Sequence, residues 1–306
     1  MGIERLLNLQ LEMFTMMLVG FILIKAKVLN QNGKKALTDM VINLFLPANI
    51  IKAFMIEFDM DILKAFGVVF IISIINQIFC MLLGKVLYGR LEQSESKILR
   101  YSTISSNAGF LGNPIAENVF GSMGLAYASI FLIPQRVVIW SAGVTYFTTG
   151  NTKKDVVKKV ITHPCIVAVV IGIVFMLMQI KLPQFLNSSL SKLSSACTPM
   201  SMIAIGTILA EINLKKFTSK KICFFTAVRL IGIPLVCYIC CHIFNVAGLI
   251  TGVCVLLSAM PAGTGTALLA SKYGCNEEFA TKTVIFSTVM SLITTPIWSY
   301  ILLQGI

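Results

Sequence analysis

Two short stretches decide how this chain folds: Asn107-Ala108-Gly109-Phe110-Leu111-Gly112-Asn113-Pro114 and Ala259-Met260-Pro261-Ala262-Gly263-Thr264-Gly265-Thr266. Each lies near the middle of an apolar run long enough to cross a bilayer, 98–119 for the first and 248–270 for the second. Proline removes a backbone donor and clashes with the preceding turn, while glycine relaxes the chain. Together at mid-membrane they free amides and carbonyls that hydrocarbon cannot satisfy, so such breaks persist only where protein buries them or a cavity is lined by them. A single kink is ordinary in a membrane helix. Two Gly/Pro breaks at matching places point to a binding site made from interrupted helices.

The sequence around them carries little charge. Of its 306 residues 57% are hydrophobic and only 12% are charged, with a mean hydropathy of +0.86. A soluble domain carries about 25% charged residues to solvate its surface. These figures exclude a disordered protein, a secreted disulfide scaffold and a nucleic-acid-binding domain. Between charged clusters lie ten apolar runs of bilayer-crossing length, at 6–24, 36–55, 63–87, 98–119, 125–148, 164–180, 190–210, 222–244, 248–270 and 279–303. The first has no small-residue cleavage site behind it and reads as a retained span. The fold class predicted is an all-α polytopic membrane protein with ten transmembrane helices.

The formal charge of +12 has a topological origin. Alternate loops hold Lys25, Lys27, Lys34 and Lys35; Lys85, Arg90, Lys97 and Arg100; Lys153, Lys154, Lys158 and Lys159; and Lys215, Lys216, Lys220 and Lys221. The intervening loops offer only Lys64, Lys181 and Lys192. Basic loops stay in the cytoplasm, which places both termini on the extracytoplasmic side and makes the charge a topology signal with no nucleic-acid partner. A five-plus-five arrangement follows: 1–148 as a first repeat, 149–163 as a short cytoplasmic linker and 164–306 as a second repeat. A repeat of odd span number must enter the membrane from the opposite face, so it is inverted. Gly20 and Pro47 in spans 1 and 2 are spaced as Gly172 and Pro199 are in spans 6 and 7, and the broken spans 4 and 9 correspond. Span 5 carries Pro134, and its counterpart, span 10, carries Pro296.

The run Asn107-x-Gly109-x-x-Gly112-x-Pro114, with Leu46-Pro47-Ala48 and Met260-Pro261-Ala262, resembles the auxin efflux carrier family. Arg229-Leu230-x-x-x-Pro234, and Arg136 with Trp140, look similar too. The resemblance spans the whole chain. The short linker points to the bacterial branch, which includes permeases for malate, malonate and related organic acids, and so to a bacterial inner membrane. It implies a scaffold domain, a transport domain whose broken helices 4 and 9 cross at the substrate site, and a homodimer through scaffold helices. The bile-acid/sodium symporters share this crossed-helix architecture more distantly, which keeps open a sodium-coupled symporter of a bulkier amphipathic anion.

Where spans 4 and 9 break, their second halves present helix N-termini, whose free amides and positive dipole ends favour an anion. The substrate-binding candidates are Asn107, Gly112, Asn113, Pro114, Met260, Pro261 and Thr264, with Thr266 on the same half-helix. Asn113 either contacts substrate through its amide or caps the broken helix. Arg136, well inside span 5, binds a carboxylate in a bidentate fork or pairs with Glu117, Glu12 or Asp39. Arg229 lies within snorkelling reach of the cytoplasmic surface and reads as structural. Coupling-ion candidates are Glu117, Glu12 and Gln77; Asn76-Gln77 reads first as interhelical glue. No organic cofactor is implied, and coupling to protons, to sodium or to neither stays open.

Other classes find no motif. There is no GxxxxGK[ST] loop, no H-E-x-x-H and no G-x-S-x-G. Asp59-x-Asp61 lies in an outer loop with no second acidic cluster nearby, and Cys237-x-x-Cys240, inside an apolar run, reads as packing. A channel stays as the lesser alternative: it would want a filter of charges or carbonyls, which no span advertises. The sequence therefore predicts a secondary transporter of a small organic anion, embedded in lipid.

Overall fold

The computed structural model describes residues 3–57, 59–143, 145–147, 157–158, 161–210 and 219–304. Most of the linker expected at 149–163, with Lys153, Lys154 and Lys159, lies outside the described residues, as do Lys215 and Lys216. Among the described residues the chain is helical, with one isolated antiparallel β-bridge between Ser106 and Ala262. The helices are α1 (Ile3–Lys25), α2 (Gln31–Met40), α3 (Leu46–Phe54), α4 (Met60–Tyr88), α5 (Gln93–Ile104), α6 (Asn113–Val138), α7 (Pro164–Met178), α8 (Gln184–Leu209), α9 (Lys220–Ala227), α10 (Ile233–Ile243), α11 (Gly248–Ser258), α12 (Gly265–Lys272) and α13 (Glu277–Gln304).

Helix α4 shows why the bundle belongs in a bilayer. Ile71, Ile75, Ile78, Leu82 and Val86 face outward, while Ser73, Asn76, Gln77, Cys80 and Gly84 are buried. This is the reverse of a soluble amphipathic helix. Its 29 residues extend about 43 Å at 1.5 Å per residue, enough to cross a membrane. Five helical stretches among the described residues are long and apolar enough to do so: Gln31–Phe54, Met60–Tyr88, Ala108–Val138, Lys220–Ile243 and Glu277–Gln304. Pro164–Met178 and Gly248–Ser258 are apolar but shorter. The stretch ending at Val138 is interrupted at Gly121, whose φ of 72° and ψ of −166° turn the chain, close to where the sequence places the end of its fourth run.

Three prolines shape their helices in one way. Single π-turns at Val41–Phe45, Ala108–Gly112 and Val228–Gly232 end one residue before Leu46, Asn113 and Ile233. The amides of those three residues reach back five positions, to Val41, Ala108 and Val228. Pro47, Pro114 and Pro234 follow immediately. A proline ring collides with the carbonyl four residues earlier and offers it no hydrogen, and a widened turn moves that carbonyl aside. The carbonyl that Pro234 cannot bond, Leu230's, accepts instead from Trp298 Nε1 at 2.9 Å.

The helices sort into two layers. In one, α1 packs along α8, α3 lies against α7 and α8, and α2 touches α8. Here Gly20 and Gly206 are needed for close approach: a Cβ on Gly20 would stand 2.0 Å from the Ile203 carbonyl oxygen, and one on Gly206 would stand 1.9 Å from that of Met17. In the other layer α4, α5 and α6 pack together, α11 sits on α6 and α10, and α13 runs beside α9, α11 and α12. The layers meet mainly through α3 on α6 and α1 on α13.

Candidate functional site

The two stretches that opened the sequence come together in the second layer. Helix α5 stops at Ile104 and α11 at Ser258. Asn107 N–H donates to Pro261 O at 2.8 Å, and Gly263 N–H donates to Ser105 O at 2.7 Å. These bonds satisfy backbone groups that the broken helices orphan. Ser102 Oγ donates to Thr266 Oγ1 across the same junction at 3.3 Å. Gly112 permits the approach, because a Cβ there would lie 2.7 Å from Leu257 Cδ2 and 3.0 Å from Met260 Cγ.

Side chains from the following helices hold each break. Gln135 Nε2 on α6 donates to Ser106 Oγ at 2.8 Å and to its carbonyl at 3.1 Å. Ser287 Oγ on α13 accepts from Ala262 N–H at 3.2 Å. Arg229 turns inward instead of snorkelling and is 3% exposed. Its Nε donates to Met260 O at 3.0 Å and its Nη1 to Thr103 O at 3.4 Å. Among the described residues it has no carboxylate partner. The chain ends of α5 and α11 supply the negative potential it needs, since a helix C-terminus carries about half a negative charge. Arg229 is thus structural, as the sequence suggests, by a different means.

Asn113, at the start of α6, is fully buried, and neither its Nδ2 nor its Oδ1 has a partner. It makes no capping bond. Arg136 is 8% exposed with an unpartnered Nη1. A Cβ on Gly109 would stand 3.3 Å from its Nη2, so the guanidinium lies against the break. It forms no ion pair with Glu117, Glu12 or Asp39. Burial, with a smaller push from Arg136, holds His163 just ahead of α7 down at about 4, neutral at cellular pH. Buried polar groups are rarely left unpaired. Donors so placed suit an anion.

The remaining candidates scatter. Asn107, Pro114, Met260 and Pro261 are buried at the junction. Thr264 is exposed, and Thr266 takes the buried position beside Ser102. Gln77 is buried with Oε1 unpartnered. Glu12 lies on the outer face of α1, away from the junction's hydrogen bonds. Glu117, one turn beyond Asn113, accepts from Asn49 of the other layer. Asp59 caps α4 through Asp61 N–H, and Asp61 pairs with Lys64 at an exposed surface. Between the layers lies a small cavity lined by Met13, Met17, Leu111, Met202, Ser291 and Thr295, among others. Gln135, Ser287 and Asn49 are absent from the sequence expectations because isolated polar residues in apolar runs carry no local signal.

Two broken helices meet inside a helical bundle that turns apolar side chains outward, with unpartnered buried donors at the first break, and the proteins this chain is similar to are membrane transporters and not enzymes. The chain belongs to the Membrane transport protein family, whose model matches residues 6–158 and 149–299. The resemblance to the auxin efflux carriers read from the motifs is thereby shown. It is 27% identical to a transporter of uncharacterized role from Methanocaldococcus jannaschii, over 97% of this chain and 99% of that one. A Rhizobium meliloti protein named, provisionally, for malonate transport is 21% identical over 69% of each chain. Auxin efflux carrier component 2 of rice is 28% identical over 48% of this chain and 24% of its own.

Proposed function

We propose that this protein is a secondary transporter that moves a small organic anion, a mono- or dicarboxylate, by alternating access across a bacterial plasma membrane. Ten spans form a 5+5 inverted repeat in this reading, with both termini outside and helices 4 and 9 crossing where the breaks pair. The packing supports the repeat. Span 1 lies on span 7 through Gly20, and span 2 lies on span 6 through Gly172, beside which a Cβ would stand 2.8 Å from Phe54 Cβ. An inverted repeat exchanges these two contacts. It likewise exchanges Gln135 holding one break with Ser287 holding the other.

The observation that carries the anion is the pair of unpartnered groups at the first break, Asn113 and Arg136. A guanidinium and an amide match a carboxylate in geometry and charge, and the relative named for malonate is consistent with one. The test is uptake of radiolabelled malonate, malate, succinate and acetate into proteoliposomes. Saturable uptake of one acid, lost in Arg136→Gln at equal reconstitution, supports the reading. Full uptake by that variant would move the site elsewhere, and wild-type transport of neutral solutes alone would overturn the anion assignment.

A further inference from the structure

One hydrogen-bonded chain links the two layers through a carboxyl group. Glu117 belongs to α6, in the layer of the breaks. Its Oε2 accepts from Nδ2 of Asn49 on α3 at 2.8 Å. Asn49 Oδ1 accepts from Ser194 Oγ on α8 at 2.6 Å. Asn49 and Ser194 are both buried, in the layer of α1, α3, α7 and α8. If that layer stays still while the other moves, this tie must break and re-form in each cycle.

Among the described residues no cation pairs with Glu117. From α3 the charged neighbour is Lys52, one turn beyond Asn49, and its Nζ donates away to Asn187 Oδ1 at 2.8 Å. From α8 come Ser194, bonded to Asn49, and Cys197, which also meets Ser201 of its own helix and Cys165 of α7. An ionised carboxylate here therefore rests on one amide donor. A hydrogen bond to a charged acceptor is markedly stronger than a neutral one, so ionised Glu117 resists separation of the layers. When a proton is bound the carboxyl becomes neutral. The bond to Asn49 then has only the strength of a neutral pair, which water can replace as the layers part.

We propose that Glu117 is the proton-binding site of the transport cycle, and that its protonation releases the Glu117–Asn49–Ser194 tie so that the layers shift only with a proton aboard. This rests on the transporter reading above and adds the coupling ion to it. The proton is taken up by Glu117 on one side of the membrane and returned to water on the other, so the organic anion and a proton travel together.

The experiment uses purified full-length protein in proteoliposomes, with whichever radiolabelled acid of the panel the wild type carries. Two modes are compared: accumulation driven by an inward proton gradient, and exchange at equal pH on both sides. The expected result is gradient-driven accumulation by the wild type, insensitive to sodium. Glu117→Gln should keep exchange within about twofold and lose accumulation, because a neutral side chain leaves the layers free yet carries no proton. Asn49→Ala, which removes the donor to the charged form, should move the pH for half-maximal uptake upward by about one unit. Accumulation retained in Glu117→Gln, or wild-type uptake indifferent to the gradient, would overturn the proton site while leaving the transporter reading intact. No exchange by the wild type with any acid would overturn both.

Discussion

At the scale of the residue, the first break separates two kinds of buried polar side chain. Arg229 is fully employed. Its guanidinium bonds two carbonyls at helix ends, and two helix C-termini at about half a charge each offset its single positive charge. Arg229→Met should leave both carbonyls bare, at about 1–3 kcal/mol each, and lower the thermal midpoint of detergent-solubilised protein by several degrees. Arg229→Lys, which can reach one carbonyl at a time, should fall between. An unchanged midpoint in the Met variant would show that water serves those carbonyls instead. Asn113 is the opposite case, since its amide bonds nothing and caps nothing. Asn113→Ala should therefore leave the thermal midpoint unchanged or raised, because an unsatisfied buried amide is removed, while reducing uptake by about tenfold or more, in keeping with the loss of a charge-assisted hydrogen bond. A midpoint drop matching the uptake loss would return Asn113 to a structural role.

At the scale of the element, glycine and proline carry most of what could be read in advance. Gly20 lets α1 and α8 touch backbone to backbone. Gly20→Leu should push them apart and cost expression and thermal stability, whereas Gly67→Ala on α4, where a Cβ meets nothing within 4 Å, should be neutral or stabilising by up to about 1 kcal/mol. Equal behaviour of the two variants in a thermal-shift assay would argue against close packing of α1 on α8. The breaks after α5 and α11 were legible for the same reason: proline and glycine act on their own backbone, so their effect is local and visible in one sequence. The partners of the breaks were not. A serine or threonine in a span often satisfies itself on the carbonyl four residues earlier, as Ser129 does on Leu125 and Thr283 on Phe279. Nothing in the sequence separates these from Ser287, which bonds Val284 of its own helix and also holds the break at Ala262, or from Ser194, which bonds Asn49 of α3. From the sequence Arg229 reads as a structural residue that snorkels, and the carbonyls that turn it inward come from α5 and the α11 break, distant in sequence. The π-turns also follow from proline, yet whether a helix widens or simply kinks depends on what can receive the freed carbonyl, as Trp298 does for Leu230.

At the scale of the whole molecule, the packing distinguishes contacts inside a layer from contacts between layers. The paired breaks lie wholly within one layer, held by backbone bonds, Gln135, Ser287 and Arg229. The Met-lined cavity and the Glu117–Asn49 bond lie between the layers. If transport is a movement of one layer against the other, a link inside a layer should be tolerated and a link between layers should not. Ser106 and Ala262 face each other in an antiparallel bridge, with backbone bonds on the flanking residues. Such a non-hydrogen-bonded pair brings Cα atoms to about 4.5 Å, within reach of a disulfide. With the nine native cysteines, all free, replaced, Ser106→Cys with Ala262→Cys should cross-link on oxidation and keep uptake within about twofold, since rigid-body motion leaves intradomain distances unchanged. Leu111→Cys with Met202→Cys, facing the same cavity from opposite layers, should lose uptake by about tenfold or more when joined by a short bis-maleimide and regain none on added substrate, because the hinge or shear step is blocked. Undiminished uptake through the second link would mean that the layers stay fixed, and the protein would then work as a gated channel lined by its paired breaks. Loss through the first link alone would place the moving part at the junction of the breaks themselves.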